Sequence, residues 1–346
     1  MILAFLSLLM DWQAYAWVYD TKELTPIFNT LFLTSALFCA SFFGIAFFSR
    51  KHPESTFLLP PSSLNKVLHI GVPAVLIFSI YMTFRLEIGA FFDSLEVNTS
   101  VRINSSASSF TDTYPNPAIA SFRSIWLLIY TLGFVSIAAV FNLWKFKSEL
   151  VKEVNLVVSL MTLFFFFLAI IFEIRELRGL YLGVIESEYF NQGVFNILIR
   201  YLLFAFVGFN LFTIKKQLSK RSKKQNLTIW FEGLLVFTII YILSAELVQW
   251  LDILGFENSY KLGLSILWGL SSLTLISLGI LKRKPHLRLG AMVIFSVTLA
   301  KLFLYDISHL STISKTIVFV SLGLLLLVIS FLYNKFKHRL FEDEPK

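Results

Sequence analysis

LVVSLMTLFFFFLAIIF, residues 156–172, decides the fold: it runs 17 residues without a charge and carries four consecutive phenylalanines. A second run, KTIVFVSLGLLLLVISFLY (315–333), is charged only at its first position. Each comes close to the ~20 residues that a helix needs to cross hydrocarbon. Hydrocarbon admits only helices or closed barrels, and neither run alternates as a barrel strand does. Both are therefore read as membrane helices. The same reading, carried outward, gives ten spans: 1–18, 28–48, 67–92, 120–144, 154–182, 193–214, 228–251, 261–281, 288–306 and 315–334. The first is the weakest, with Asp11 in its middle and no basic n-region to make it a signal peptide.

Composition agrees with a membrane class. Hydrophobic residues make up 56% of the chain, 38 residues are Phe, and mean hydropathy is +0.73, against roughly 45–50% apolar residues in soluble domains. The net charge of +8 does not point to nucleic acid, because the loops at 49–66, 145–153, 215–227 and 282–287 and the tail from 335 hold most of the 30 Lys and Arg. That is the positive-inside pattern. It predicts both termini in the cytoplasm, with odd helices running outward and even helices returning. The run KKQLSKRSKK (215–224) reads as a topology determinant that also touches anionic lipid. One cysteine, Cys39, excludes an internal disulfide, and five scattered histidines give no metal site and no expected cofactor.

A polar device recurs near the outer ends of the odd spans. Asp11 is followed by Tyr15, Glu87 by Phe91, Glu176 by Leu180 and Tyr181, Glu246 by Trp250, and Lys301 by Tyr305. Residues at i and i+4 share a helix face. A charge inside a span costs ~2.5–3.5 kcal/mol on insertion scales and is a functional-site hypothesis by default. Related strings support a duplication: VFNLWKFK (140–147) with GFNLFTIKK (208–216), which set Asn142 against Asn210, and SIW (124–126) with SILW (265–268). The expected architecture is an all-α integral membrane protein of about ten transmembrane helices. They form one polytopic domain of five repeated hairpins, about 1–48, 67–144, 154–214, 228–281 and 288–334, with a cytoplasmic tail at 335–346. The repeats share one orientation and are thus parallel, not inverted. Loop 93–119 is the longest outer segment, and its NTS (98–100) and NSS (104–106) strings are read as coincidental glycan acceptors.

Two readings compete for the charges. An aromatic belt with capping charges is ordinary near an interface. Alternatively the acids meet basic partners such as Arg85, Arg123, Arg175 and Arg178. Arg200, in NILIRYLLF, must face protein or a wet pocket and needs a carboxylate; Glu176 is the first expected partner and Glu87 the second. The site residues expected on that reading are Glu87, Glu176, Arg200, Glu246, Lys301 and Asp306, with Trp250, Tyr305 and Trp268 as walls. Lys301, the one base among acids, marks a place for an anionic ligand. No serine elbow, P-loop, HExxH or GxGxxG stands in context, and His309 near Asp306 is the sole catalytic base considered. Catalytic residues remain unassigned.

The strings ILSAELVQWL (242–251), SILWGLSSLTLISLGILKRKPHLRLGAMVIFSVTLAKLFLYDISHLS (265–311) and VSLGLLLLVISFLYNKF (320–336) resemble the C-terminal part of a family of bacterial predicted membrane proteins, domain of unknown function 2339. LMDW (9–12) and PIFNTLFLTS (26–35) resemble an earlier segment of the same family, and KLFLYD (301–306) is the most specific match. The resemblance implies a polytopic membrane protein of longer pattern with no established activity, so a larger parent chain or a partner membrane subunit is expected. Lys315 stands where the family pattern has Arg, which argues against a bidentate role there. Three functions stay open. The leading one is an outward-facing pocket that binds or moves an envelope-related solute, lipid head group, or lipid or glycan precursor. The others are an enzyme acting on a lipid-linked substrate at the outer leaflet, and a structural scaffold.

Overall fold

The computed structural model describes residues 2–17, 25–51, 63–104, 111–183, 190, 193–219, 225–256 and 260–302, with further helical residues between 312 and 331. Within these the chain is helical apart from one short hairpin. The helices are α1 (Ile2–Trp17), α2 (Thr30–Lys51), α3 (Ser63–Thr99), α4 (Pro117–Phe141), α5 (Glu149–Tyr181), α6 (Phe195–Ser219), α7 (Gln225–Ile253), α8 (Tyr260–Leu281) and α9 (Pro285–Lys301). Seven helices among the described residues are long and apolar enough to cross a membrane, where ten spans were expected. The described stretches of α1 and α9 number 16 and 17 residues, and the region of the tenth span is described only in pieces. Large apolar side chains such as Phe164, Phe165, Phe172 and Leu270 lie exposed. Water would tolerate no such continuous coat, and lipid requires one.

The ends of the helices follow local chemistry. Asn116 caps α4 by accepting from the Ala118 N–H at 3.1 Å, with Pro117 at the first helical position. α4 passes into a π-helical turn at Asn142–Phe146 and closes on Lys147 at φ 51°. Asn142 then ties that turn to α5, donating to the Ser148 carbonyl at 3.0 Å and accepting from the Ser148 N–H at 3.1 Å. Asn210, placed alike by the repeat reading, crosses instead from α6 to α4 and donates to Ser136 Oγ at 3.1 Å. α3 runs on to Thr99, seven residues past the expected end of its span, because no Gly or Pro interrupts 90–99. Strands β1 (Val101–Asn104) and β2 (Thr111–Tyr114) then pair antiparallel, with Val101 opposite Tyr114, in what the sequence suggested was only a loop.

The chain divides into two compact units, Met1–Thr213 and Ile214–Lys346. In the first, α1, α2 and α3 pack on one another, and α3 leads through α4 to α5. Leu8, Trp12 and Tyr15 form one core cluster, and Phe42, Val72 and Leu76 a second. In the second unit, α7, α8 and α9 pack mutually around Leu275, Ile276 and Ala291. Among the described helices the most extensive approaches are α4–α5 and α8–α9, which join successive proposed hairpins rather than lying within one. Short turns explain them. At α8–α9, Arg283 adopts φ 53° and a Cβ on Gly279 would stand 2.7 Å from Arg288 Cγ, so only glycine admits this closeness. The five-hairpin repeat does not emerge as the unit of packing.

Candidate functional site

A cavity of about 490 Å³ opens between α3, α4 and α5 in the first unit. Its polar lining comes from Tyr81 and Arg85 on α3, Ser124 and Thr131 on α4, and Thr162 and Glu173 on α5. Val158, Met161 and Phe165 supply apolar wall. The charges Arg85 and Glu173, with Ser124, belong to the end nearer the β1–β2 hairpin, while Thr131 and Val158 lie deeper. Tyr81 is fixed there: its hydroxyl and Thr131 Oγ1 are 3.0 Å apart, its ring stacks on Tyr130 at 5.5 Å, and its carbonyl accepts from the Tyr130 hydroxyl at 3.0 Å. Arg85 and Glu173 are each half-buried, and neither forms an ion pair among the described residues. The cavity thus pairs an apolar shaft with two charges of opposite sign that the protein leaves available.

Glu87, the leading residue of the sequence reading, stands on another face of α3. Two residues along a helix turn it by ~200°, so Glu87 and Arg85 point apart. Glu87 is 5% exposed and fully engaged: Oε1 accepts from the Tyr15 hydroxyl at 2.5 Å and Asn29 Nδ2 at 2.8 Å, and Oε2 accepts from the Ile27 N–H at 2.8 Å. Asn29 also caps α2 through Oδ1, which accepts from the Phe32 N–H at 2.7 Å. Ile27 sits at φ 69°, a conformation a β-branched residue resists, and the carboxylate holds its N–H there. Glu87 is therefore the knot that ties α1, the 25–29 segment and α3 together. Nearby, Asp93 and Arg123 latch α3 to α4 at 2.7 Å. Asp93 was missed because it was assigned to a loop; the unbroken helical pattern past residue 92 was the available signal.

Arg200 is 1% exposed on α6, and its guanidinium donates to the Tyr201 hydroxyl at 3.2 Å, 5.1 Å from that ring's centroid. Such a distance is within cation–π range. Glu176 is half-buried on α5, and no ion pair joins it to Arg200 or Arg200 to Glu87 among the described contacts. Neither Arg200 nor Glu176 lines the cavity.

In the second unit, the expected i,i+4 pair forms: Trp250 Nε1 donates to Glu246 Oε2 at 3.1 Å. Trp268 Nε1 donates to Ser244 Oγ at 2.9 Å, joining α8 to α7. Lys301 Nζ donates to the Lys261 carbonyl and to Ser265 Oγ, both at 2.9 Å, and so binds α9 to the first turns of α8. Tyr305, Asp306 and His309 lie outside the described residues. Glu232 was overlooked: at the opposite end of α7 it pairs with Lys284 and with His286 Nε2, the latter at 2.6 Å. The sign it left in the sequence is a lone acid about two turns inside α7, on the same side as the KRKPH turn. Among the described residues no group of three His, Cys, Asp or Glu could hold a metal ion.

No curated protein and no solved structure matches this chain. A family model does, across residues 1–336, and its description is predicted membrane protein. Its extent reaches beyond the C-terminal strings into the α3–α5 segment that forms the cavity. The chain belongs to the predicted membrane protein family DUF2339.

Proposed function

We propose that the α3–α4–α5 cavity binds an amphiphile bearing a charged or zwitterionic head group, with its polar end at Arg85 and Glu173 and its apolar part along Val158, Met161 and Phe165. One observation carries this reading: two half-buried charges of opposite sign line one cavity without an ion pair to occupy them. Half-burial of an unengaged charge in a membrane helix is costly. A ligand that supplies the missing partner recovers that cost. At about 490 Å³ the cavity has ligand-site size, within the roughly 300–1,000 Å³ usual for such sites. Under the positive-inside orientation the charged end faces out of a bacterial inner membrane, so the ligand is an envelope-related lipid or lipid-linked precursor that the protein binds or moves. The reading is one of binding, with the Tyr81 and Thr131 hydroxyls, bonded to each other, as fixed polar wall.

Native mass spectrometry of the protein purified in mild detergent tests this. One amphiphile per chain is expected to co-purify, and Arg85→Gln should weaken its retention about 10- to 150-fold, the worth of one charge-assisted hydrogen bond. A wild-type protein that carries nothing at stoichiometric level, or an R85Q protein that carries the same amount, sinks the proposal.

A further inference from the structure

A second cavity, of about 670 Å³, lies wholly within the second unit and plays no part in the reading above. The end of α6, α7, α8 and the α8–α9 turn enclose it. Leu235, Ile239 and Leu243 from α7 face Leu267, Leu270 and Leu278 from α8 along its length. Ile239 and Leu270 are themselves exposed, so the groove is open along its flank. Its charged groups gather at one mouth, where Lys215, Lys282 and Lys284 meet Glu232, while Ser271 and Thr274 add hydroxyls along the α8 wall. Glu232 is already committed to Lys284 and His286. Lys215 and Lys282 are exposed and form no ion pair among the described residues. The mouth therefore carries surplus positive charge, with its one carboxylate, Glu232, already neutralised by Lys284 and His286.

Size selects the occupant. From Thr228 to Leu243 the α7 wall rises about 22 Å, more than one leaflet at half of ~30 Å of hydrocarbon. An acyl chain is thin enough and long enough. We infer that this groove holds one anionic phospholipid, its phosphate between Lys215 and Lys282 and an acyl chain laid between α7 and α8. Under the same orientation, the lipid belongs to the cytoplasmic leaflet, where anionic head groups meet juxtamembrane lysines. The site is separate from the α3–α4–α5 cavity and stands or falls without it.

The test uses delipidated full-length protein, phosphatidylglycerol and phosphatidylcholine of identical chains, and native mass spectrometry. One phosphatidylglycerol per chain should be retained under conditions that strip phosphatidylcholine. The double variant Lys215→Gln, Lys282→Gln should weaken retention about thirtyfold. Leu270→Trp, which fills the groove and spares the lysines, should abolish one-to-one binding. Equal retention of the two lipids overturns the inference, as does undiminished phosphatidylglycerol binding in L270W, which would leave surface charge as the whole cause. A dimer mass lost in L270W would assign the groove to a second copy instead. Should those variants unfold, K215Q alone, at an exposed position, decides the point by the same measurement. R85Q should leave phosphatidylglycerol retention unchanged, which keeps this test distinct from that of the first cavity.

Discussion

Two faces of one helix treat charge in opposite ways. On one face of α3, Glu87 is buried with three donors on its two oxygens, drawn from α1 and from the 25–29 segment. On another, Arg85 is half-buried in a cavity with no ion-pair partner among the described residues. A carboxylate that the protein has fully supplied with donors has nothing left to offer a ligand. A guanidinium left without an acid still has its donors to give. Being charged in a span is therefore a weaker sign of function than the state of a group's hydrogen-bond account.

Substitutions on the two faces should separate stability from binding. The largest effect is expected from Glu87→Leu, which strands three buried donors. The loss is about 3–5 kcal/mol, read as a fall in melting temperature in detergent, with ligand retention unchanged in whatever protein remains folded. Arg85→Gln should behave in the reverse way, losing ligand as described while melting within about 0.5 kcal/mol of wild type, as substitutions outside a packed network do. If R85Q instead melts early and E87L loses ligand first, the assignment of the two faces is inverted. Tyr15→Phe removes one donor to the knot and should cost about 1.5 kcal/mol by the same melt. Trp250→Phe deletes an exposed bond to Glu246 and should cost less than about 1 kcal/mol.

The same contrast explains what the sequence made legible. Apolar runs such as 156–172 announced membrane helices because length and composition are local properties. The i,i+4 device was also local, yet among the described residues only Glu246 with Trp250 forms the bond that spacing suggests. Tyr15, four residues after Asp11, spends its hydroxyl on Glu87, 72 positions away. Lys301 finds its acceptors on α8, 36 and 40 positions back. Such partners are set by how helices pack, and spacing along one helix carries no trace of them. Arg85 entered the sequence reading only as a possible counter-ion for acids like Glu87. Only the packing of α4 against α3 and of α5 against α4 reveals that Arg85 lines a cavity. The described residues bear out seven of the spans by length and hydropathy, and the stretches of α1 and α9 they include are 16 and 17 residues.

The tight α8–α9 turn bears on how the protein is made. α9 carries Lys301 within an otherwise apolar stretch, a burden on independent entry into a bilayer. Joined to α8 through Gly279 and Arg283, with Lys301 already satisfied by Lys261 and Ser265, it has a prepared berth. The two helices are expected to integrate as a single translocation event. In a reporter-fusion insertion assay, α9 should enter efficiently behind α8 and poorly behind an unrelated leader helix.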